Sequence, residues 1–153
     1  MAPEEETVAH LMDTRARTLD PGVTVRDVAR KMAGESAECV VLVKDGTAGV
    51  ITERDLVVKI LSDGFDPDKV LARDIMSTAL ITISPQATMS DAAKLMSEYK
   101  IRRLLVVDDQ HSLVGLVSAD DLAKVLAKRM DYLDPTLNVI GRVNETPSAG
   151  PYQ

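Results

Sequence analysis

The strongest constraint on the fold is that the chain repeats itself. Shifting the 153-residue sequence by 64 positions places residues 11–32 (LMDTRARTLDPGVTVRDVARKM) on residues 75–96 (IMSTALITISPQATMSDAAKLM). The offset grows to 66 beyond Val43 and Val107, because the second copy has two more residues in its turn. Such dense matching indicates a tandem duplication, so we expect a fold built from two similar units.

Both copies predict the same order of elements: a short extended segment, a helix, two strands and a second helix. In copy two the β-branched run LITI precedes SPQATMSDAAKLMSEY, whose apolar residues recur at helical spacing. The runs RLLVVDD and SLVGLVS indicate a hairpin, and SADDLAKVLAKRM indicates a second amphipathic helix. Copy one shows the same pattern, and KDG at 44–46 indicates the turn of its hairpin. The predicted class is α/β (α+β).

The repeat also predicts the division of the chain. The first unit is expected at residues 7–62, a connector at 63–73 and the second unit at 74–131. A C-terminal tail at 132–153 is predicted to be largely irregular, since residues 141–153 lack periodicity and contain many small and turn-forming residues.

Composition excludes several classes of protein. The formal net charge of −6 and an aromatic content of 3% argue against binding nucleic acid, which needs excess cations and stacking platforms. No apolar run reaches the roughly 18–20 residues of a membrane helix, and the acidic start does not resemble a signal peptide. A cytoplasmic protein is therefore expected. Cys39, the single cysteine, is predicted to be a buried structural thiol.

Two heptads at equivalent places in the repeat carry the functional signal. They are GVITERD at 49–55 and GLVSADD at 115–121, each following a predicted hairpin and opening a predicted helix. One interpretation is a capping box, in which the Ser or Thr and the Asp only close the helix start. The other is a pair of ligand sites.

The doubled pattern resembles the CBS domain, and two such domains in tandem resemble a Bateman module over about residues 7–131. The resemblance implies β-α-β-β-α units packed about a pseudo-twofold axis, with two clefts between them. It further implies that the clefts bind adenosine ligands such as AMP, ADP or ATP, with S-adenosylmethionine or NADH as possibilities. A freestanding pair that forms a homodimer is expected.

The residue types in the heptads suit a nucleotide. The hydroxyls of Thr52 and Ser118 stand at helix starts, where unpaired N–H groups and the helix dipole favour a phosphate. The carboxylates of Asp55 and Asp121 suit ribose hydroxyls. The heptad glycines are expected to let the backbone approach a ligand closely.

Further candidates follow from the resemblance and from the repeat. The segments after Met12 and Met76 match the family's adenine-contacting strand, and their candidate residues are Thr14, Ala16, Arg17, Thr78, Leu80 and Ile81. Arg102 and Arg103 either neutralise phosphate or are solvated strand-edge charges. Copy one has Glu38 and Cys39 at those positions, so the second cleft is predicted to be the better phosphate site. Arg54 and Asp120, inside the heptads, complete the set.

The predicted function is a regulatory adenine-nucleotide sensor that acts through conformational change and requires no cofactor. The alternative is a ligand-independent protein that dimerises and docks on an unidentified partner. No nucleophile–base pair or metal-ligand spacing is present in the sequence, so an enzyme is not expected.

Overall fold

Two three-stranded sheets, one from each copy, form the centre of the computed structural model, which describes residues 5–129. In chain order the elements are α1 (Val8–Leu11), β1 (Thr18–Leu19), α2 (Val25–Glu35), β2 (Cys39–Val43), β3 (Thr47–Thr52), α3 (Glu53–Asp55), a π-helix (Leu56–Leu61), α4 (Ala72–Ile75), β4 (Thr82–Ile83), α5 (Met89–Tyr99), β5 (Arg103–Val107), β6 (Leu113–Ser118) and α6 (Ala119–Arg129). The predicted mixed class and the repeated unit are confirmed. The predicted tail at 132–153 lies outside the described residues.

The two sheets have the same topology. In each, a two-residue strand runs parallel to the first hairpin strand, which pairs antiparallel with the second. The turn predicted from KDG is present: Asp45 and Gly46 have φ values of 53° and 112°, the left-handed geometry of a tight hairpin.

The helix after the first heptad differs from its counterpart. The sequence predicts a helix there; the structure has one α-turn that continues as the π-helix, in which the Ser62 N–H donates to the Val57 carbonyl at 2.8 Å. Lys59 Nζ contacts Asp55 at 3.1 Å and the Ile75 carbonyl at 2.7 Å. The contact with Ile75 joins the π-helix to α4, whereas α6 is a regular α-helix.

The short helix at the start of each copy packs into the core of the other copy. Val8 of α1 is fully buried with Leu104, Val106 and Val117 of the second sheet. Ala72 of α4 is fully buried in the core of the first sheet. Burying a valine side chain contributes about 1.5–3 kcal/mol, so this exchange of helices binds the copies together.

Within residues 5–129, the helices are all too short or too polar to cross a bilayer.

Candidate functional site

The two copies also exchange the segments that precede their first strands. The 13–17 segment meets β6 through Asp13, whose backbone N–H and C=O pair with Leu116 at 2.8 and 3.0 Å. The 77–81 segment meets β3 in the same way, through Ser77 and Val50 at 2.9 and 3.0 Å. Each heptad therefore lies beside a segment of the opposite copy.

The heptad glycines are explained by this exchange. A Cβ on Gly115 would lie 2.8 Å from Met12 Sδ and 3.0 Å from the Asp13 carbonyl oxygen. A Cβ on Gly49 would lie 2.6 Å from Met76 Sδ. We expected these glycines to admit a ligand. In the structure the space beside each is filled by a methionine of the other copy, so the glycines serve packing between copies.

The first candidate site, here the Thr52 cleft, is a cavity of about 480 Å³. This volume falls in the range of small-molecule sites. Its wall comes from both copies and consists of Glu38, Cys39, Val50, Thr52, Glu53, Arg54, Ser77, Ala79, Leu80, Ile81, Ile101, Arg102, Arg103, Leu104, Leu105 and Leu116.

The second candidate site, here the Ser118 cleft, is a cavity of about 400 Å³. It is lined by Leu11, Met12, Asp13, Thr14, Arg15, Arg17, Ser36, Ala37, Glu38, Cys39, Arg103, Leu116, Val117, Ser118, Asp121 and Lys124. It too is bounded by both copies.

The clefts share a wall formed by Glu38, Cys39, Arg103 and Leu116. Within this wall the Arg103 guanidinium donates to the Glu38 carboxylate, joining the starts of the two central strands. Both side chains are about one-third exposed, at 29% and 34%. One guanidinium therefore faces both cavities and is held by an acid from the opposite copy.

Both heptads form capping boxes. Thr52 Oγ1 accepts from the Asp55 N–H at 3.3 Å, and Asp55 Oδ2 accepts from the Thr52 N–H at 2.8 Å. Ser118 and Asp121 make the same contacts at 3.2 and 2.8 Å. The capping interpretation is therefore correct locally, and a ligand role must coexist with it.

The two heptad acids differ in their surroundings. Asp55 also binds Lys59 at 3.1 Å and does not line the Thr52 cleft, while Asp121 lines the Ser118 cleft. The position matching Lys59 in copy two is Val125, so Asp121 lacks the equivalent cation.

The placement of the arginines differs from the sequence expectation. Arg102 and Arg103 were expected beside the Ser118 heptad, because all three belong to copy two. Arg102 instead lines the Thr52 cleft, is 72% exposed and pairs with Asp120 at 3.2 Å. Arg103 lines both clefts. Because elements of the two copies are interleaved, Arg102 and Arg103 do not favour the Ser118 cleft over the Thr52 cleft as a phosphate site.

The remaining candidates divide between the clefts. Those lining the Thr52 cleft are Leu80, Ile81 and Arg54, and those lining the Ser118 cleft are Thr14 and Arg17. Thr78, Ala16 and Asp120 line neither of these two cavities. Their predicted contacts with a ligand stay predictions.

Charged groups that the sequence analysis did not select cluster at the Ser118 cleft. Partial burial raises the pKa of Asp13, but hydrogen bonds from Arg15 and Arg17 outweigh it and lower that pKa below its ordinary value. Arg17 Nη1 lies 2.8 Å from Asp13 Oδ2. Lys124 stands one turn beyond Asp121 on α6. Arg15 lies between the selected Thr14 and Ala16, Asp13 directly precedes Thr14, and for Lys124 the available signal was its i, i+3 spacing from Asp121.

Cys39 lies in the shared wall and is buried, as predicted. Burial raises the pKa of its thiol, Arg103 opposes this effect and Glu38 adds to it. The thiol therefore stays protonated at neutral pH.

Comparison with known proteins supports the same organisation. The chain is 44% identical over 110 residues to uncharacterized protein MK0525 of Methanopyrus kandleri, covering 71% of this chain but only 56% of that relative. The solved CBS domain structure NE2398 superposes with a TM-score of 0.74 at 27% identity, covering 80% of this chain and 98% of that one.

A third similarity concerns a structure with bound ligands. The CBS domain pair of protein MJ0100, solved with 5'-methylthioadenosine and S-adenosyl-L-methionine, superposes with a TM-score of 0.74 at 22% identity, covering 82% of this chain and 99% of that one. The CBS-domain family itself matches twice, at residues 8–62 and 72–128. The chain therefore belongs to the CBS-domain family, with two copies in tandem.

Proposed function

We propose that this chain is a regulatory module that binds an adenine nucleotide, such as AMP, ADP or ATP, in a cleft between its two copies. CBS-domain pairs are typically regulatory modules rather than catalysts. The observation that carries the proposal is that both cavities are walled by elements of both copies. A ligand in either one touches both halves, so its binding energy depends on how the halves are arranged.

The chemistry of the Thr52 cleft supports a nucleoside ligand. Apolar side chains such as Leu80, Ile81 and Val50 offer a surface for a purine, while Thr52 and Arg54 supply polar groups at the same cavity. Ligand sites commonly combine an apolar wall with a few polar groups that fix orientation. The adenosyl ligands of MJ0100 belong to this chemical class.

Regulation would follow from population shift. A ligand that prefers one arrangement of the two copies stabilises it in proportion to its differential affinity. The Glu38–Arg103 pair joins the copies beside both cavities, so a phosphate that attracts Arg103 would alter a contact between them. A dimer surface or a partner protein would then detect the new arrangement.

We also propose that the chain forms a homodimer. The π-helix and the residues after it expose Val57, Leu61 and Phe65, with 54%, 76% and 55% of their surfaces accessible. A cluster of large apolar side chains at a surface is typical of an interaction site. Native mass spectrometry would test this, and a monomer at micromolar concentration would contradict it.

The alternative function is a ligand-independent docking protein. It is favoured by the capping boxes, which satisfy Thr52 and Ser118 without a ligand. Thermal denaturation with AMP, ADP, ATP and S-adenosylmethionine separates the two functions. A ligand at a hundred times its Kd should stabilise the fold by about 2.7 kcal/mol. No stabilisation by any of the four at millimolar concentration would support the docking function.

A further inference from the structure

The two cavities differ most in the segments that the copies exchange. At the 64-residue offset the 13–17 segment reads DTRAR and the 77–81 segment reads STALI. Arg15 thus corresponds to Ala79, and Arg17 corresponds to Ile81. Because the segments are exchanged, both arginines line the Ser118 cleft and both apolar residues line the Thr52 cleft.

Half of the residues that line the Thr52 cleft are aliphatic, and the exchanged segment supplies three of them. The apolar residues that line it are Val50, Ala79, Leu80, Ile81, Ile101, Leu104, Leu105 and Leu116. These side chains can remove part of a planar base from water, which stabilises binding by about 25 cal/mol for each Å² of apolar surface buried. The cavity therefore suits the uncharged part of a nucleoside.

In the Ser118 cleft the corresponding wall is charged and held in place. The Arg17 side chain is only 16% exposed, and its guanidinium contacts Asp13 at 2.8 Å and Glu35 at 3.6 Å. It cannot leave the wall without breaking both contacts. A base entering here would meet a fixed guanidinium where the other cleft offers Ile81.

Four cations and three carboxylates line the Ser118 cleft, and three cations and two carboxylates line the Thr52 cleft, so the two clefts differ in where their charges lie and not in the excess of cations. The cations are Arg15, Arg17, Arg103 and Lys124, and the carboxylates are Asp13, Glu38 and Asp121. Asp13 is paired with Arg15 and Arg17, and Glu38 is paired with Arg103. Lys124 makes no ion pair with any residue whose side chain the structure describes. The cavity therefore offers Lys124 and the exposed Arg15 to an incoming anion.

We propose that the two clefts take different ligands: the Thr52 cleft binds a nucleoside through its base, and the Ser118 cleft binds a phosphate-bearing anion without burying a base. The first half of this proposal rests on the proposed function and narrows it to one nucleoside per chain. The second half adds an anion site that can be filled independently.

Calorimetric titration of the intact protein with two probes tests the proposal. Adenosine and inorganic triphosphate should each bind once per chain, and prior saturation with one should not abolish binding of the other. Lys124→Ala should lower the affinity for triphosphate by about two- to fivefold, which is the range for a partly exposed charge pair. It should leave the affinity for adenosine unchanged. Ile81→Arg, which copies Arg17 into the Thr52 cleft, should abolish adenosine binding and spare triphosphate. Retained triphosphate binding then shows that this variant is folded.

Three outcomes would overturn the proposal. Two equivalent adenosine sites per chain would show that Arg17 does not exclude a base, and would leave the nucleotide function intact. Competition between adenosine and triphosphate would show a single shared site. Absence of triphosphate binding would remove the anion site. If adenosine, AMP, ATP and S-adenosylmethionine all fail to bind, the proposed function itself fails, and the division of ligands fails with it.

Discussion

The guanidinium of Arg103 pairs with the carboxylate of Glu38 across the boundary between the two copies, in the wall that separates the clefts. The repeat places Cys39 at the position of Arg103, so the two copies supply one such guanidinium instead of two. This loss of symmetry makes the two clefts unequal, and it yields a first prediction.

Glu38→Gln should strengthen the binding of ATP by about two- to fivefold, because Arg103 is released from an acid that competes with phosphate. Adenosine, which has no phosphate, should show no such gain in affinity. Isothermal titration calorimetry measures both, with Glu98→Gln, an exposed acid on α5, as the matched control. An equal gain for adenosine and ATP would contradict the role given to Arg103.

A second prediction separates helix capping from ligand binding. Thr52→Ala and Thr88→Ala each remove the hydroxyl of a capping box, and each should destabilise the protein by about 1 kcal/mol. Thr52 lines the Thr52 cleft, whereas Thr88 lines neither of the two clefts. Only Thr52→Ala should therefore weaken nucleotide binding. Calorimetry measures the affinity of each variant, and urea denaturation measures its stability. Equal affinities in the two variants would mean that Thr52 is only a cap.

A third prediction concerns the heptad glycines. Gly115→Ala should destabilise the fold by about 1–3 kcal/mol, because the new Cβ would lie 3.0 Å from the Asp13 carbonyl oxygen, a backbone atom. Gly34→Ala is the control, since a Cβ there meets nothing within 4 Å. Gly34 lies in α2, so alanine should stabilise by about 0.5–1 kcal/mol. Urea denaturation of both variants tests the contrast, and matching effects would contradict the packing account.

Local sequence patterns predict the elements of this fold but not how the two copies pack together. The repeat, the hairpin at 44–46 and the helix start at Thr52 follow from local patterns, and the structure has them all. The exchange of segments between the copies cannot be predicted from local patterns. Nothing in GLVSADD indicates that Met12 of the other copy packs against Gly115. The repeat suggests that residues of one copy form one cleft. On that basis Arg102 was expected beside Ser118, but it lines the Thr52 cleft.

A fourth prediction concerns acid stability. Hydrogen bonds from Arg15 and Arg17 outweigh partial burial and lower the pKa of Asp13 below its ordinary 3.8. A group whose pKa is lower in the folded state stabilises the fold above the unfolded value and loses that contribution as pH falls through the folded value. Stability should therefore drop below about pH 4, and Asp13→Asn should make this drop shallower. Thermal melts from pH 7 to pH 3 check it; identical profiles for both proteins would contradict it.

A fifth prediction concerns the thiol in the shared wall. Because burial raises the pKa of Cys39, the thiol should react with iodoacetamide more slowly than a free cysteine at pH 8. Occupation of either cleft should slow the reaction further, since Cys39 lines both. Mass spectrometry of the alkylated protein gives the rates. A rate that ligand leaves unchanged, under conditions where binding is saturated, would contradict the placement of the ligand in the clefts.

The central claim, that an adenine nucleotide lies between the two copies, is tested most directly by titrating the isotopically labelled protein with AMP and following its amide resonances. We predict saturable shifts concentrated at Val50, Thr52, Leu80 and Ile81, which belong to both copies and meet in one cavity. Absence of shifts at millimolar AMP, or shifts confined to surfaces outside both clefts, would contradict the account.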